Sequence, residues 1–156
     1  MCKICYPAKA VQKNQEIVIE TRELVRIICH GIVDRKSVAV RILNLEGRLS
    51  YCDYFILCNG RASRQVRAIA ENVLQVLKKE HQRLPLGVEG RGTDQWVIVD
   101  YGDVILHVFQ PEMRSYYDLD GLWVDAPIVP LKELGIDAPE AETHPDQPIF
   151  PDDDVY

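Results

Sequence analysis

Side chains that could do chemistry concentrate in residues 89–125 of this 156-residue chain. His107 could act as a general base, but no Ser, Cys or Asp stands at the spacing that a nucleophile would need. Asp100 and Asp103 lie at a predicted hairpin tip, where two carboxylates suit turn geometry without any metal. We predict that His107 packs beside Trp96, and the sequence leaves open whether His107 also contacts a partner.

A second candidate site is the segment Gly60-Arg61-Ala62-Ser63, which precedes a predicted helix and could cradle a phosphate on backbone N–H groups. Nucleotidyl transfer would also need metal ions held by closely spaced carboxylates. The next acidic residue is Glu71, inside the helix, and no Asp-x-Asp follows. We therefore predict no catalytic residue, no metal and no cofactor; the alternative is a diverged nucleotidyltransferase-like nucleotide-binding enzyme.

The segment around His107 is predicted to form a β-hairpin. Trp96–Asp100 and Asp103–Phe109 are rich in Val, Ile and aromatic residues, and Tyr101-Gly102 joins them. With the turn centred there, the predicted pairs are Val99 with Val104, Ile98 with Ile105 and Trp96 with His107.

The two faces of this hairpin differ in chemistry because side chains alternate along a strand. One face is plain core: Val97, Val99, Val104, Leu106 and Val108. The other mixes aromatic residues with Asp and His: Trp96, Ile98, Asp100, Asp103, Ile105, His107 and Phe109. This second face is either a polar-trimmed core layer or a docking surface, and a one-residue slip would exchange the two faces.

The rest of the chain predicts an α/β fold, a mixed sheet of about five strands with packed helices in the order α-β-β-α-β-β-β-α. Apolar periodicity and turn residues set the elements. They are a helix over Glu16–Val33 that Gly31 could end early, strands over Ser37–Leu45 and Asp53–Cys58, a helix from an N-cap at Ser63 to Glu80, a strand over Leu86–Glu89, the hairpin, and a helix from Pro111 to Tyr117.

Composition indicates a soluble globular protein, with 47% hydrophobic and 27% charged residues. No apolar run approaches the ~20 residues that span a bilayer, and the first ten residues lack signal-peptide features, which predicts a cytoplasmic protein. The five cysteines do not form a disulfide framework. Cys2 and Cys5 form an isolated CxxC without further ligands, while Cys29, Cys52 and Cys58 are predicted core residues.

Charge is unevenly distributed along the chain. Residues 1–88 contain 15 Lys and Arg against 8 Asp and Glu, whereas residues 89–125 contain 2 against 8. An acidic segment disfavours contact with phosphates and suits a basic protein partner, unless folding interleaves the two halves. Six of the nine prolines fall at or after Pro127. We predict an extension at 1–14, a domain at 15–127 and, at 128–156, a Pro-rich acidic tail that is docked but irregular at first and then disordered.

Five motifs follow one another along the chain: CDYF at Cys52–Phe55, NGRASRQVRAIA at Asn59–Ala70, VEG at Val88–Gly90, WVIVDYGDVILHVF at Trp96–Phe109 and RSYYDLDGLWVDAP at Arg114–Pro127. In these motifs and their order the chain resembles the ribosomal silencing factor family (RsfS, or Iojap), and the resemblance extends from about Glu16 to Pro127. Asn59 departs from the pattern, because members more often carry a small hydroxyl residue there.

The resemblance implies a fold similar to the nucleotidyltransferase palm and a non-enzymatic translation repressor. Such a protein binds the large ribosomal subunit at its interface-side protein number fourteen and sterically blocks joining of the small subunit. Family members also often form homodimers off the ribosome. Neither sequence-specific nucleic-acid recognition nor a membrane is expected.

Aromatic residues near the hairpin have the composition of an interface hot spot, and equally that of a helix packed on a sheet. Some of Tyr116, Leu119, Leu122 and Trp123 are expected to pack back onto the sheet. The predicted partner-binding residues are Trp96, Asp100, Tyr101, Asp103, His107, Phe109, Arg114, Tyr117 and Leu119.

Overall fold

The computed structural model describes residues 19–142. Predictions for the N-terminal extension with Cys2 and Cys5, for residues 16–18 of the first helix and for the disordered end of the tail therefore lie outside the described residues. Within that range, none of the helices is long and apolar enough to cross a membrane.

Helices and strands follow each other in the predicted order, and three further short helical elements come after them in the described range. The elements are α1 (Thr21–Asp34), β1 (Val38–Asn44), β2 (Tyr54–Asn59), α2 (Ser63–His81), β3 (Gly87–Glu89), β4 (Trp96–Asp100), β5 (Val104–Phe109), α3 (Pro111–Tyr117), α4 (Leu119–Leu122) and 3₁₀ turns at Leu131–Leu134 and Pro139–Glu142.

The strands form one mixed sheet of five strands in the order β1-β2-β5-β4-β3. β2 and β5 are parallel at its centre, and all other neighbours are antiparallel. Every residue of β2 and β5 is buried, as expected for central strands covered on both faces. The predicted mixed α/β fold is confirmed.

One face of the sheet is covered by α1 and α2, whose apolar stripes recur at helical spacing. The buried stripe of α2 consists of Val66, Ile69, Ala70, Val73 and Leu77. It meets the hairpin face that was predicted to be plain core, because Val97, Val99, Val104, Leu106 and Val108 all lie in the same hydrophobic cluster.

Two helix boundaries differ from the prediction. Gly31 does not end α1, which continues to Asp34. A Cβ on Gly31 would be only 3.1 Å from Val73 Cγ2, so the glycine lets α1 and α2 approach each other. Asn72 Nδ2 donates to Gly31 O over 2.8 Å at the same crossing. At the start of α2, Ala62 is the N-cap and Ser63 is the first helical residue, and no side chain caps the helix.

The predicted hairpin register is wrong by two residues. Trp96 pairs with Phe109 and Ile98 with His107. The turn lies one residue later than predicted, because Tyr101 N–H donates to the carbonyl oxygen of Val104 over 3.0 Å and only Gly102 and Asp103 lie between them. A shift of two residues preserves the alternation of side chains, so the strand residues keep their predicted faces. Asp103, which lies before β5, is the exception, because its side chain accepts from Thr21 of α1.

The segment after Pro127 docks on the domain. Asn44 N–H donates to Pro127 O, and Val129 N–H donates to Ile42 O, each over 2.9 Å. This pairing covers the outer edge of β1, which would otherwise present unpaired backbone groups. The core cluster on the α1 and α2 side then gains apolar side chains from Val129, Leu131, Leu134, Ile136, Ala138 and Ala141. The core therefore continues past Pro127, where the sequence placed the end of the domain.

Gly90 provides a test of how the chain enters β4. Its φ is +88°, and a Cβ would overlap the carbonyl oxygen of Trp96. Gly90→Ala is therefore expected to lower the free energy of unfolding by about 1–3 kcal/mol in urea denaturation. Gly87→Ala in β3 is the matched control, because a Cβ there meets no atom within 4 Å. Equal losses in the two variants would contradict this account.

Candidate functional site

The second face of the sheet carries an aromatic cluster, formed by Phe55, Trp96, His107, Phe109, Tyr117 and Trp123. Trp96 stacks on Phe109 with ring centroids 5.0 Å apart, and Tyr117 covers the other part of Trp96 at 4.7 Å. Phe55 meets His107 edge-on at 4.7 Å. The cluster belongs to a second, smaller hydrophobic core between the sheet and the segment containing α3 and α4.

The aromatic cluster reaches solvent along an edge that we call the aromatic margin: Trp96, Tyr116 and Tyr117. Tyr117 is 50% exposed and Tyr116 is 78% exposed, and their rings are 5.0 Å apart. Leu122 and Val124, in and just after α4, are also largely exposed. Exposed apolar groups beside a rigid core are typical of an interaction site.

His107 is held inside the aromatic cluster as a neutral ring. Trp96 Nε1–H donates to His107 Nδ1 over 3.1 Å, and an indole nitrogen can only donate, so the ring proton of His107 is on Nε2. Burial, with a smaller contribution from the charge of Arg114, lowers the pKa of His107 to about 3. Its role is therefore to orient the indole of Trp96.

Arg114 is a structural residue rather than a surface residue, which corrects its predicted role as an exposed contact. Its side chain is 3% exposed and forms a bidentate pair with Asp120 at 2.8 and 3.1 Å. Arg114 Nη1 also donates to Asn59 Oδ1 over 2.9 Å and to Ala39 O over 2.8 Å. Arg41 adds a second contact to Asp120 at 3.2 Å. This network fastens α3 and α4 to β1 and β2.

The backbone of β1 is shaped to receive Arg114. The register of β1 against β2 shifts between Val38 and Arg41, and Ala39 has a positive φ of 54°. Such a bulge redirects the backbone, and here the Ala39 carbonyl accepts from Arg114. Burial alone would raise the pKa of Asp120, but its hydrogen bonds and charge interactions with Arg114 and Arg41 hold that pKa below its usual value.

The loop before Trp96 is fixed by a second ion pair. Asp94 is 1% exposed and accepts from Arg67 of α2 at 2.7 and 2.9 Å. Asp94 N–H donates to Gly90 O over 3.0 Å, and Gln110 N–H donates to Gln95 O over 2.8 Å. The start of β4 is therefore tied both to α2 and to the chain entering α3.

Beside the aromatic cluster lies an open groove with a volume of about 260 Å³. Its floor is apolar, with Ile98 and Ile105 next to Phe55, and two carboxylates, Glu89 and Asp100, stand along it. The remaining lining residues are Tyr51, Gly87 and His107. We call this feature the acidic groove. A basic side chain with an aliphatic stem would match it, since such stems lie on apolar surface while the charge stays at the rim.

The predicted partner-binding residues divide between surface and core. Trp96 and Tyr117 form part of the aromatic margin, and Asp100 lines the acidic groove. Tyr101 is 1% exposed and packs in the opposite core, so its side chain is not on this surface. Asp103 is exposed but accepts from Thr21 Oγ1 of α1 over 3.3 Å, away from Asp100. The buried or partly buried residues that support the surface from beneath are His107, Phe109, Arg114 and Leu119.

Residues that the sequence reasoning missed are those lining the groove from other strands. Glu89 pairs with Ile98 in the sheet, so its side chain shares the face of Ile98 and Trp96. Pairing the predicted strand over Leu86–Glu89 with Trp96–Asp100 would have identified Glu89. Tyr51, which lies before β2 and is 62% exposed, had no comparable sequence signal.

Two backbone donors of the segment Gly60-Arg61-Ala62-Ser63 are used internally. Gly60 N–H donates to Phe109 O over 2.8 Å, and Arg61 N–H donates to Gln65 Oε1 over 2.7 Å. A Cβ on Gly60 would be 2.8 Å from Val66 N, so the glycine permits close packing of α2. The N–H groups of Gly60 and Arg61 are therefore not free to bind a nucleotide phosphate.

His107 provides a test of the aromatic cluster by pH. Below the ordinary pKa of 6.5 the unfolded ring takes up a proton, whereas the folded ring stays neutral down to about pH 3. The unfolded state then binds more protons, so the free energy of unfolding is expected to fall as the pH drops through this window. His107→Asn should flatten that slope. In NMR, the His107 ring should not titrate between about pH 5 and 8; titration there would contradict the buried neutral ring.

Arg114 and Asp120 provide a test of the buried ion pair. Arg114→Met leaves the carboxylate of Asp120 buried beside Arg41 alone and is expected to cost about 3–5 kcal/mol in urea unfolding. Adding Asp120→Leu to Arg114→Met should recover part of that loss, because the uncompensated charge is removed. A double variant that is as unstable as the sum of the two single variants would contradict this coupling.

Comparison with known proteins agrees with this geometry. The profile of the family described as ribosomal silencing factor during starvation matches residues 18–153. A ribosomal silencing factor from Halalkalibacterium halodurans is 35% identical over 114 residues, which cover 73% of this chain and 97% of that protein. A crystal structure of a Chromobacterium violaceum protein has 34% identity and a TM-score of 0.66, covering 68% of this chain and 88% of that one.

A more distant relative from mouse has a different name, mitochondrial assembly of ribosomal large subunit protein 1. It is 29% identical over 84 residues, which cover 53% of this chain and 37% of that protein. The family profile covers both the hairpin with its aromatic cluster and the docked segment after Pro127. The chain therefore belongs to the ribosomal silencing factor family.

Proposed function

We propose that this protein binds the large ribosomal subunit through the aromatic margin and the acidic groove and prevents the small subunit from joining. The proposed partner is the large-subunit protein number fourteen, on the side that faces the small subunit. Repression is then steric and needs no catalytic step. The cytoplasm, where the subunits join, is the proposed location.

The observation that carries this proposal is the aromatic margin itself. Tyr117 rests on Trp96, and Trp96 is fixed by Phe109 beneath it and by its hydrogen bond to His107. A partly exposed aromatic group that is already held in place loses little conformational entropy on binding. Tyr and Trp residues of this kind dominate the affinity of many protein interfaces.

The acidic groove supports a basic protein as the partner. Glu89 and Asp100 stand beside an apolar floor, and the neighbouring ring of His107 is neutral, so the groove contains no compensating cation. Such a surface attracts basic side chains and repels RNA phosphates. The name of the mouse relative, which refers to the large ribosomal subunit, points to the same particle.

Sedimentation with purified ribosomal subunits tests the proposal. The wild-type protein is expected to migrate with the large subunit alone and to reduce the fraction of joined ribosomes. Tyr117→Ala should weaken large-subunit binding by about 2 kcal/mol, or roughly 30-fold, because it removes an exposed anchor while leaving the core intact. Trp96→Ala should weaken it at least as much, and its fold must be checked by urea denaturation.

Leu84→Ala is the matched control, since Leu84 is a large apolar residue that is 63% exposed in the loop before β3. It should bind as the wild type does. Binding that is unchanged in Tyr117→Ala would reject the aromatic margin as the interface. Failure of the wild type to bind large subunits would reject the proposed function. Running the free protein alone shows whether the same surface forms a homodimer off the ribosome.

A further inference from the structure

Four exposed basic side chains surround the start of α2: Arg35, Lys36, Arg61 and Arg64. We call them the basic patch. Other arginines of the described residues pair with carboxylates, but none of those ion pairs involves the basic patch. One acidic residue, Asp34, adjoins Arg35 in the sequence, so four positive charges stand beside one negative charge.

Gln65 brings the two halves of the basic patch together. Its Nε2 donates to the carbonyl oxygens of Arg35 and Lys36 over 3.1 and 3.0 Å. Its Oε1 accepts from Arg61 N–H over 2.7 Å. The partly buried side chain of Gln65 thus fixes the loop after α1 against the loop before α2. Two pairs of charges from separate parts of the sequence therefore form one cluster. The positive end of the α2 dipole adds to the same field.

We propose that the basic patch binds the phosphate backbone of ribosomal RNA, as a second contact chemically distinct from the aromatic margin. Several arginines without acidic partners on an open surface suit a chain of phosphates, which is read by charge and not by base sequence. The inference rests on the proposed function for the identity of the RNA-containing particle. The RNA contact is thus assigned to the basic patch and not to the acidic groove, which would repel phosphates.

The basic patch is continuous with the proposed protein interface. Gly60, next to Arg61, donates its N–H to Phe109 O over 2.8 Å. Phe109 in turn stacks on Trp96 with ring centroids 5.0 Å apart. The basic patch and Trp96 therefore lie toward the same end of the sheet, so a particle that presents protein beside RNA could contact both. The N–H groups of Gly60 and Arg61 are used internally, and Arg35 Nη2 donates to Asn72 Oδ1 over 3.4 Å, which leaves the guanidinium groups of Arg61 and Arg64 for phosphate.

Removing two charges at either end of α2 provides the test. Arg61→Gln with Arg64→Gln is expected to weaken binding to large subunits by about tenfold at moderate salt. The slope of log affinity against log salt should also fall by about 1.5, at ~0.7–0.9 per lost phosphate contact. Lys78→Gln with Lys79→Gln removes the same charge from exposed positions at the other end of α2 and should change neither quantity. Equal behaviour of the two double variants would overturn the proposal.

A photocrosslinker separates RNA from protein as the occupant. Ala62 is exposed at the centre of the basic patch, and its side chain caps nothing, so benzoylphenylalanine there preserves all four charges. Cross-linking to ribosomal RNA is the expected result; cross-linking only to a ribosomal protein, or to a second copy of this chain, would overturn the proposal.

A second assay separates failure of this inference from failure of the proposed function. Wild-type protein that binds subunits while both double variants bind equally well rejects only the basic patch. If the wild type binds no subunits, a short RNA duplex at low salt is the remaining probe. Weaker binding of that duplex by Arg61→Gln with Arg64→Gln than by the Lys78 and Lys79 control supports the basic patch, and no difference rejects it.

Discussion

The position of the helices that cover the second face of the sheet depends on the buried ion pair between Arg114 and Asp120. This pair, together with the contacts to Asn59 and Ala39 O, holds the short helices α3 and α4 against β1 and β2. Two such short helices would be marginal on their own, so their position derives from tertiary contacts. Because they cover only part of the sheet, the acidic groove stays open, and Tyr116 and Tyr117 of α3 form the aromatic margin beside Trp96.

The same face serves as both core and surface. Phe109 and His107 are buried, whereas Tyr117 on the same cluster is half exposed. Burial keeps the His107 ring neutral, so no charge enters the cluster, and the hydrogen bond between Trp96 Nε1–H and His107 Nδ1 fixes the two rings against each other. Rigidity beneath exposed aromatic groups lowers the entropy lost on binding, which is the physical reason for placing an interface directly over a small core.

Much of the fold was predictable because period and turn residues specify it. The faces of the hairpin were predicted correctly even though the register was wrong by two, since an even shift preserves alternation. Tyr101 and Arg114 were misplaced for different reasons. Tyr101 continues the alternation of Val97 and Val99, so its side chain enters the core on the side of α1 and α2. Arg114 meets its acceptors only after folding, because Asn59 and Ala39 lie on separate strands of the sheet. Asn59 Oδ1 is one of the groups that accept from its guanidinium.

The central claim is that the second face of the sheet meets a protein of the large ribosomal subunit. Cryo-electron microscopy of the protein bound to isolated large subunits tests it most directly. The account predicts density for a ribosomal protein against Trp96 and Tyr117, with a basic side chain near Glu89. Density that places α1 and the outer surface of α2 against the subunit, with Tyr117 in solvent, would contradict it.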